Sequence, residues 1–291
     1  MGAPIPSCMN QASNKLIIIA GPTAVGKTAL AVSLAQQLHT EVVSCDSRQF
    51  YRELRIGVAR PTPHELAAAP HHFIACRSVT EPYNIYDYSV DALATINALF
   101  ATGHDTVVAC GGSGLYIDAL LRTPARLPDP SAELRSRLQQ MPLADKQALL
   151  NSLDPVSYTR IDTHNPVRLQ RALEVCLTTG RPYSTVLASQ QQPTPRPFDI
   201  EVRVLDMPSD ELRRRIDIRV DQMIAYGLLD EVSSLLPYRH LNTLNTVGYR
   251  ELFPVIDGTT TLSNAIEQIK LNTWHYARRQ ITWMHRYTAT A

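Results

Sequence analysis

A short glycine-bearing segment constrains the fold of this chain more than any other feature. Residues 21–28 read GPTAVGKT and satisfy the pattern G-x-x-x-x-G-K-[ST]. The apolar run LIIIA (16–20) precedes them, and such a run is typical of a strand buried on both faces of a parallel sheet. The stretch KTALAVSLAQQL (27–38) follows without a helix breaker. The segment therefore predicts a strand, a tight turn and a helix, the building unit of an α/β fold.

This pattern predicts a cradle for phosphate groups. The glycines let successive backbone N–H groups point inward, and the helix N-terminus adds positive potential. Lys27 is expected to neutralise the terminal phosphate, and Thr28 to ligate Mg²⁺. The pattern recognises phosphate only, so ATP, GTP and other diphosphates all remain possible ligands. The predicted diphosphate-binding loop consists of Gly21, Pro22, Thr23, Ala24, Val25, Gly26, Lys27 and Thr28.

Further strand and helix patterns extend the α/β organisation along the chain. EVVSCD (41–46) and TVVAC (106–110) read as strands, and the second leads into the glycine turn and helix GGSGLYIDALL. IEVRVLD alternates like another strand and precedes predicted helices at about 209–226, 228–236 and 262–287. The fold class is therefore α/β, a P-loop NTPase-like parallel sheet with flanking helices.

The region between about Pro128 and Pro197 has a different composition, with helical segments rich in Leu, Arg and Gln. It predicts an inserted all-helical domain at 128–197. The catalytic core then comprises 14–127 plus 198–291, and the polar residues 1–13 are expected to form a disordered tail.

Composition excludes several classes of protein. The net charge of +1 rules out a protein surface that is basic overall, so contacts with nucleic acid must come from local basic patches. The five cysteines include no C-x-x-C pair, which argues against a zinc site and a disulfide framework. No apolar run approaches the roughly 20 residues of a membrane span. We expect a cytoplasmic protein with no membrane contact, and a monomer.

A carboxylate follows the second predicted strand. The stretch SCDSRQFYRELRIGVARPT begins at the carboxyl end of that strand, where open α/β sheets place their chemistry. Asp46 is therefore expected to face the phosphate cradle. Taken alone, Asp46 would fit the role of a helix N-cap or turn residue equally well.

Five separated motifs, in order and spacing, resemble the tRNA dimethylallyltransferase family, also called tRNA isopentenyl-diphosphate transferases. They are the stretch around Asp46, GGSGLYIDALL, NPVRLQRALEV, NTVGYREL and YARRQITWMHR, and with the P-loop they cover about 14–287. The sequence has no zinc finger of the kind found in eukaryotic members, so the resemblance is to the bacterial type.

The resemblance implies a reaction and a set of roles. In the family, the P-loop holds dimethylallyl diphosphate, and the acceptor is N6 of the adenosine 3′-adjacent to the anticodon of a tRNA. Asp46 matches the general base that takes the N6 proton, a role that suits a poorly nucleophilic aryl amine. Lys27, Mg²⁺ and the Ser113 hydroxyl are expected to stabilise the leaving diphosphate. Ser113 stands where threonine is usual, and Arg219 matches an arginine directed at the diphosphate.

The same resemblance indicates residues for tRNA. Arg168 and Arg171 share one helical face, and Tyr249 supplies a ring able to stack on a base. On the last helix, Leu271, Trp274, Ile281 and Met284 are expected to face inward, with Lys270, Arg278 and Arg279 outward. The predicted tRNA-binding residues are Asp46, Ser47, Arg48, Gln49, Arg168, Arg171, Gly248, Tyr249, Arg250, Arg278 and Arg279.

Three other functions fit parts of the sequence. A P-loop small-molecule kinase would use Asp46 to activate a hydroxyl and the inserted helices as a lid. A non-catalytic RNA-binding module would retain RNA without needing Asp46. An adenylate isopentenyltransferase would use the same cradle on free AMP, but the inserted domain with Arg168 and Arg171 favours a macromolecular acceptor.

Overall fold

The computed structural model describes residues 14–190 and 195–288. Their strands form one five-stranded parallel sheet, so the predicted α/β fold class is confirmed. The order is β3-β2-β4-β1-β5. The strands are β1 (Lys15–Ala20), β2 (Val42–Ser44), β3 (His71–His72), β4 (Thr106–Gly111) and β5 (Asp199–Val204). The predicted disordered tail at 1–13 lies outside the described residues.

Strand β1 is central because every residue from Leu16 to Ala20 is apolar and buried. It pairs with β4 on one side and β5 on the other, with Ile18 opposite Ala109 and Val202. Strand β4 also pairs with β2. The carboxyl ends of β1, β2 and β4 therefore lie at one edge of the sheet, where ligand sites of open α/β folds occur.

Helices cover both faces of the sheet because successive strand residues point to opposite sides. Ile17 and Ile19 pack with α1 (Lys27–Gln37), close to α2 (Pro63–Ala68). Leu16 and Ile18 belong to a second cluster that includes residues of α3 (Ile85–Ala101), α4 (Gly114–Leu121) and α13 (Leu262–Thr288). The sequence analysis did not predict α2, α3 or β3.

A third cluster joins the helices of the C-terminal region. It contains Leu212, Leu228, Phe253 and Ile269, one from each of the four helices. Those helices are α10 (Ser209–Ala225), α11 (Leu228–Ser234), α12 (Phe253–Ile256) and α13. The starts of α10, α11 and α13 agree with the sequence prediction, and their ends differ by one or two residues.

The described chain divides into two compact units, one of which is the segment Thr123–Pro195. This unit is helical in its described part and has its own core around Leu138, Leu150, Leu169 and Leu173. Its boundaries lie at 122/123 and 195/196, against the predicted 127/128 and 197/198. Its helices are α5 (Ala132–Gln140), α6 (Leu143–Leu153), α7 (Pro155–Arg160), α8 (Pro166–Thr179) and α9 (Tyr183–Gln190).

The prediction for the faces of α13 was partly wrong. Leu271 is 40% exposed instead of inward, whereas Ala277 and Met284 are buried. Lys270 does not face solvent freely, because its ammonium group lies 2.8 Å from the Asp221 carboxylate of α10. Met284 is buried and Trp274 and Ile281 pack against a core cluster, so only Leu271 departs from the predicted inward face. None of the described helices combines the length and the apolar character needed to cross a membrane.

A buried carboxylate organises the helical unit. Asp154 is 1% exposed and precedes α7, and its oxygens accept from the N–H and hydroxyl groups of Ser157 and Ser184 at 2.6 to 3.0 Å. Burial alone would raise the pKa of Asp154, but the serine hydrogen bonds outweigh it and hold the pKa below its ordinary value.

Asp154→Ala is therefore expected to destabilise the helical unit by about 3 kcal/mol, because a cap is lost and the buried serine groups lose their acceptor. Urea unfolding followed by circular dichroism measures this loss. The folded-state pKa is depressed, so the contribution is present above about pH 4 and disappears as the pH falls further. Asp129→Ala, at an exposed carboxylate of the same unit, is the control. An equal loss in both variants would contradict the assigned role.

Candidate active site

The predicted phosphate cradle lies between β1 and α1. Gly21 and Gly26 have φ values of 150° and 103°, which disfavour a side chain at either position. A Cβ at Gly21 would also lie 2.7 Å from the Leu205 carbonyl oxygen. Lys27 begins α1, and its ammonium group donates to the Pro22 carbonyl at 2.6 Å. The Lys27 side chain therefore folds back over the loop. The N-terminus of α1, which carries partial positive charge, lies at the cradle.

Lys27 lies in a desolvated setting with opposing charges around it. Burial lowers the pKa of Lys27 to about 8, helped by Arg219 and opposed by Cys110 and Asp46. A buried ammonium without a full counter-charge favours an anionic ligand, because the ligand restores the interactions that water would supply. The site is therefore suited to a diphosphate.

Asp46 follows β2 at the same edge of the sheet. One of its carboxylate oxygens accepts from the Arg48 N–H at 2.9 Å, which fixes the turn after the strand. The charge of Asp46 acts on both Lys27 and Arg219, so the structure brings these three predicted residues together. The Asp46 carboxylate thus lies close enough for its charge to act on the cradle lysine, and it also has a turn-forming role.

Ser113 extends this cluster from the turn between β4 and α4. It is 8% exposed and immediately precedes α4. Its hydroxyl accepts from the Ser47 N–H at 3.1 Å and lies 3.2 Å from the Ser47 hydroxyl. The segments after β2 and β4 are therefore linked directly beside Asp46.

Arg219 projects from α10 toward the cradle. Its guanidinium donates to the Thr23 hydroxyl at 3.4 Å. Burial lowers the pKa of Arg219, while the nearby Asp46 opposes that change. The half-buried Arg219 side chain therefore lies against the cradle.

The predicted stacking role of Tyr249 was wrong. Its side chain is fully buried, and its hydroxyl donates to Glu231 at 2.6 Å. The same carboxylate accepts the N–H groups of Ile56 and Gly57. A ring with no exposed face has no surface for a nucleobase, so Tyr249 braces the loop that carries Gly57.

Its neighbours in the motif are also bound to the protein. Gly248 is buried, and its N–H donates to Glu251 at 2.8 Å. Arg250 is exposed but pairs with the same Glu251 carboxylate at 2.7 Å.

Arg48 and Gln49 have partners within the protein. Arg48 donates to the Thr243 carbonyl at 3.0 Å. The Gln49 amide donates to the carbonyls of Val58 and Ala59, so this side chain anchors a loop. Ser47 lies beside Ser113, as described above.

The other predicted tRNA-binding arginines differ in exposure. Arg168, Arg278 and Arg279 are exposed. Arg171 is half-buried, and its guanidinium donates to the Pro128 carbonyl at 3.1 Å and pairs with the buried Glu174 at 3.3 Å. Its charge is thereby committed inside the helical unit.

Two residues of α13 that reach this site were not predicted from the sequence. Tyr276 interacts with Ser113 and with the charge of Asp46, and burial raises its pKa. Gln280 is buried and hydrogen-bonds to Thr23 and Gly112. Their spacing of four residues on one helical face was a usable signal, but the basic residues between them directed attention to the outer face.

The described residues could bind a metal ion only if phosphate oxygens of the substrate supply most of its ligands. The described residues contain no group of three or more His, Cys, Asp or Glu side chains arranged for a metal. Thr28 lies in the first turn of α1 and borders a small cavity with Ser44, Gln49 and Cys110. One hydroxyl with a diphosphate is a donor set that Mg²⁺ accepts.

Fold and site together define an α/β protein with a glycine-bearing P-loop after β1 and a carboxylate after β2 at the same edge of the sheet. Residues 49–287 match the family described as IPP transferase, and the chain belongs to that family.

Curated relatives agree with this assignment. The chain is 45% identical over 275 residues to tRNA dimethylallyltransferase 1 of Bacteroides thetaiotaomicron, covering 93% of this chain and 88% of the relative. It is 44% identical over 278 residues to tRNA dimethylallyltransferase of Christiangramia forsetii, covering 94% and 91%.

Solved structures are similar over the same length. The tRNA isopentenylpyrophosphate transferase of Bacillus halodurans matches with a TM-score of 0.66 and 34% identity, covering 94% of this chain and 87% of that one. A eukaryotic dimethylallyltransferase acting on tRNA matches with a TM-score of 0.78 and 27% identity, covering 94% of this chain and 70% of that one.

The lowered pKa of Lys27 predicts how diphosphate binding depends on pH. The charged form binds the anion, so affinity for inorganic pyrophosphate should be constant below about pH 8 and weaken by about tenfold per unit above it. Titration calorimetry between pH 6.5 and 9.5 measures this dependence. Dividing wild-type constants by those of Lys27→Gln cancels the ionisation of pyrophosphate itself. A flat ratio would show that Lys27 is not the titrating group.

Tyr249→Phe tests whether Tyr249 belongs to the core. The hydroxyl bond to the half-buried Glu231 carboxylate is lost while the ring is kept, so we expect a loss of about 1.5 kcal/mol in unfolding free energy. Chemical denaturation measures it. Tyr226→Phe is the matched control, because Tyr226 is 73% exposed. Unchanged stability of Tyr249→Phe would return Tyr249 to the candidates for base stacking.

Proposed function

We propose that this chain transfers the dimethylallyl group of dimethylallyl diphosphate to N6 of the adenosine 3′-adjacent to the anticodon in tRNA, giving N6-isopentenyladenosine and diphosphate. Family membership and the names of the curated relatives support the reaction class. The observation that carries the proposal is the position of Asp46 after β2 at the sheet edge that also holds Lys27 and Arg219, close enough for its charge to act on both cationic groups.

This grouping separates the two halves of a substitution. The N6 nitrogen forms a bond to the allylic carbon while the bond from that carbon to the diphosphate oxygen breaks. Asp46 takes the proton that N6 loses, because the aryl amine becomes strongly acidic as the new bond forms. Lys27, Arg219 and the backbone N–H groups of the cradle stabilise the negative charge that gathers on the departing diphosphate.

Ser113 adds a neutral donor next to the reacting groups. Its hydroxyl now lies against Ser47, within 3.2 Å of the Ser47 hydroxyl. A rotation about the Cβ–Oγ bond of Ser113 would turn the hydroxyl proton toward a diphosphate oxygen. The Ser113 oxygen would stay in place and would still accept from the Ser47 N–H. Mg²⁺, held by the diphosphate and by Thr28, would further neutralise the leaving group.

Exposed arginines are the proposed contacts for RNA phosphates. Arg278 and Arg279 are adjacent on α13, the helix that also supplies Tyr276 near Asp46. Arg168 lies near the start of α8 in the helical unit. Contacts of this kind position an RNA and make its binding depend on salt. The target adenosine is already unpaired in an anticodon loop, so extruding it from the loop costs little.

The remaining parts of the proposal concern the setting of the reaction. We propose a cytoplasmic monomer, and the scattered cysteines without a disulfide pattern support the cytoplasmic setting. Size-exclusion chromatography with light scattering tests the oligomeric state.

Product analysis tests the function directly. The protein is incubated with unmodified anticodon stem-loop RNA, dimethylallyl diphosphate and Mg²⁺, and the nucleosides are separated and weighed by mass spectrometry. We expect N6-isopentenyladenosine at the position after the anticodon. Parallel reactions with AMP and with ATP plus small hydroxylated acceptors distinguish the adenylate isopentenyltransferase and the kinase. Product in either of those reactions, with none in the RNA, would reject the proposal.

Asp46→Ala tests the assigned base. We expect kcat to fall by about 10² or more, the size of a lost proton transfer, while tRNA affinity changes little. Single-turnover rates and filter binding measure the two effects. Asp105→Asn is the control, because Asp105 precedes β4 at the opposite edge of the sheet. A wild-type rate in Asp46→Ala would favour the non-catalytic alternative or another base.

A further inference from the structure

One face of α13 packs along the turn between β4 and α4 and along the start of α4. Its members are Tyr276, Gln280, Trp283 and Tyr287, spaced by four, three and four residues, which is the repeat of one helical face. Tyr276 interacts with Ser113, and a Cβ at Gly114 would lie 2.3 Å from the Trp283 ring. The Tyr287 hydroxyl donates to Asp118 of α4 at 2.5 Å. The turn that carries Ser113 is therefore shaped against this helix.

Gln280 is the one member of this face shown to hydrogen-bond to both glycine turns of the described site. Its amide nitrogen donates to the Gly112 carbonyl at 2.8 Å, and its amide oxygen accepts from the Thr23 N–H at 2.8 Å. The side chain is 6% exposed. A single buried amide thus uses a donor and an acceptor to join the phosphate cradle to the turn before Ser113.

The two turns are also in close contact beneath this amide. A Cβ at Gly112 would lie 2.3 Å from the Gln280 amide nitrogen and 3.1 Å from the Gly21 carbonyl oxygen. The glycine is needed for this approach, since any side chain would displace either the amide or the cradle. The distance between cradle and turn is thereby fixed by Gln280 and Gly112 together.

This arrangement matters because the donors for a departing diphosphate come from both sides. The cradle supplies Lys27 and backbone N–H groups, and the turn supplies the Ser113 hydroxyl. Donors stabilise developing charge only when they are held in place beforehand. The Thr23 N–H donates to Gln280 and is therefore not available to a phosphate oxygen. The bond to Gln280 thus limits which N–H groups of the cradle can bind the diphosphate.

We propose that Gln280 is a positioning residue that holds the cradle and the Ser113 turn in register and so sets the affinity for the diphosphate group. It acts through these two backbone groups and contacts no reacting atom. The inference rests on the proposed function, because it takes the cradle to be a diphosphate site.

Gln280→Met removes both hydrogen bonds while keeping the side chain's length and apolar stem. The variant leaves the half-buried Thr23 N–H and the buried Gly112 carbonyl without their partner, so we expect affinity for inorganic pyrophosphate to fall by about tenfold or more. Affinity for tRNA in the absence of pyrophosphate should stay within about threefold of wild type. Gln268→Met is the matched control, since Gln268 is an exposed glutamine of the same helix.

Gln280→Glu gives a signature that general destabilisation does not. The ionised carboxylate still accepts from Thr23 but repels the Gly112 carbonyl, whereas the protonated carboxyl group donates to that carbonyl as the amide does. Burial raises the pKa of such a group above its ordinary range. The deficit in pyrophosphate affinity relative to wild type should therefore shrink as the pH falls from 8 to 5.5.

Gly112→Ala should disturb the same contact from the other side. Because both substitutions act on one bridge, Gly112→Ala and Gln280→Met should together weaken pyrophosphate binding by much less than the product of their separate effects. Additive effects, or a pH-independent deficit in Gln280→Glu, would overturn the inference. Wild-type affinity in folded Gln280→Met would also overturn it. If the wild-type protein itself fails to bind pyrophosphate or dimethylallyl diphosphate, the proposed function fails instead.

Discussion

The parallel pairing of β4 between β1 and β2 is the constraint on which the site depends. Because the three strands run in the same direction, the segments that follow them emerge at one edge. The cradle follows β1, Asp46 follows β2 and Ser113 follows β4. The chemistry therefore depends on hydrogen bonds between strands that contain no functional side chain.

Desolvation gives this edge its chemical character. Burial lowers the pKa of both Lys27 and Arg219, and the nearby charge of Asp46 opposes this change in pKa. A diphosphate would supply the missing negative charge and would leave Asp46 free to interact with the acceptor amine. The same groups thus favour the binding of the leaving group and the proton transfer from the nucleophile.

Local patterns predicted the parts of the fold that local physics determines. The run LIIIA and the glycine motif predicted β1, the cradle and α1, because burial on both faces and a phosphate loop leave distinct residue patterns. The motif around Asp46 was placed correctly at a strand end. The stacking role predicted for Tyr249 was wrong, because an aromatic ring carries no local sign of a carboxylate partner on another helix. That partner, Glu231, lies on α11 and becomes visible only in the folded chain, whereas Glu174 follows Arg171 by three residues on α8, so their pairing was open to prediction from the sequence.

Helix α13 has a consequence for how the protein is made. Tyr276, Gln280 and Trp283 complete the edge formed by strands that lie more than 150 residues earlier in the chain, as the separation of 168 residues between Gln280 and Gly112 shows. During translation, the sheet emerges from the ribosome long before its covering helix. Until α13 emerges and packs, the two glycine turns lack their bridging amide and Ser113 lacks its tyrosine neighbour. Nascent chains should therefore acquire the ability to hold an anion last, after the strands have already paired.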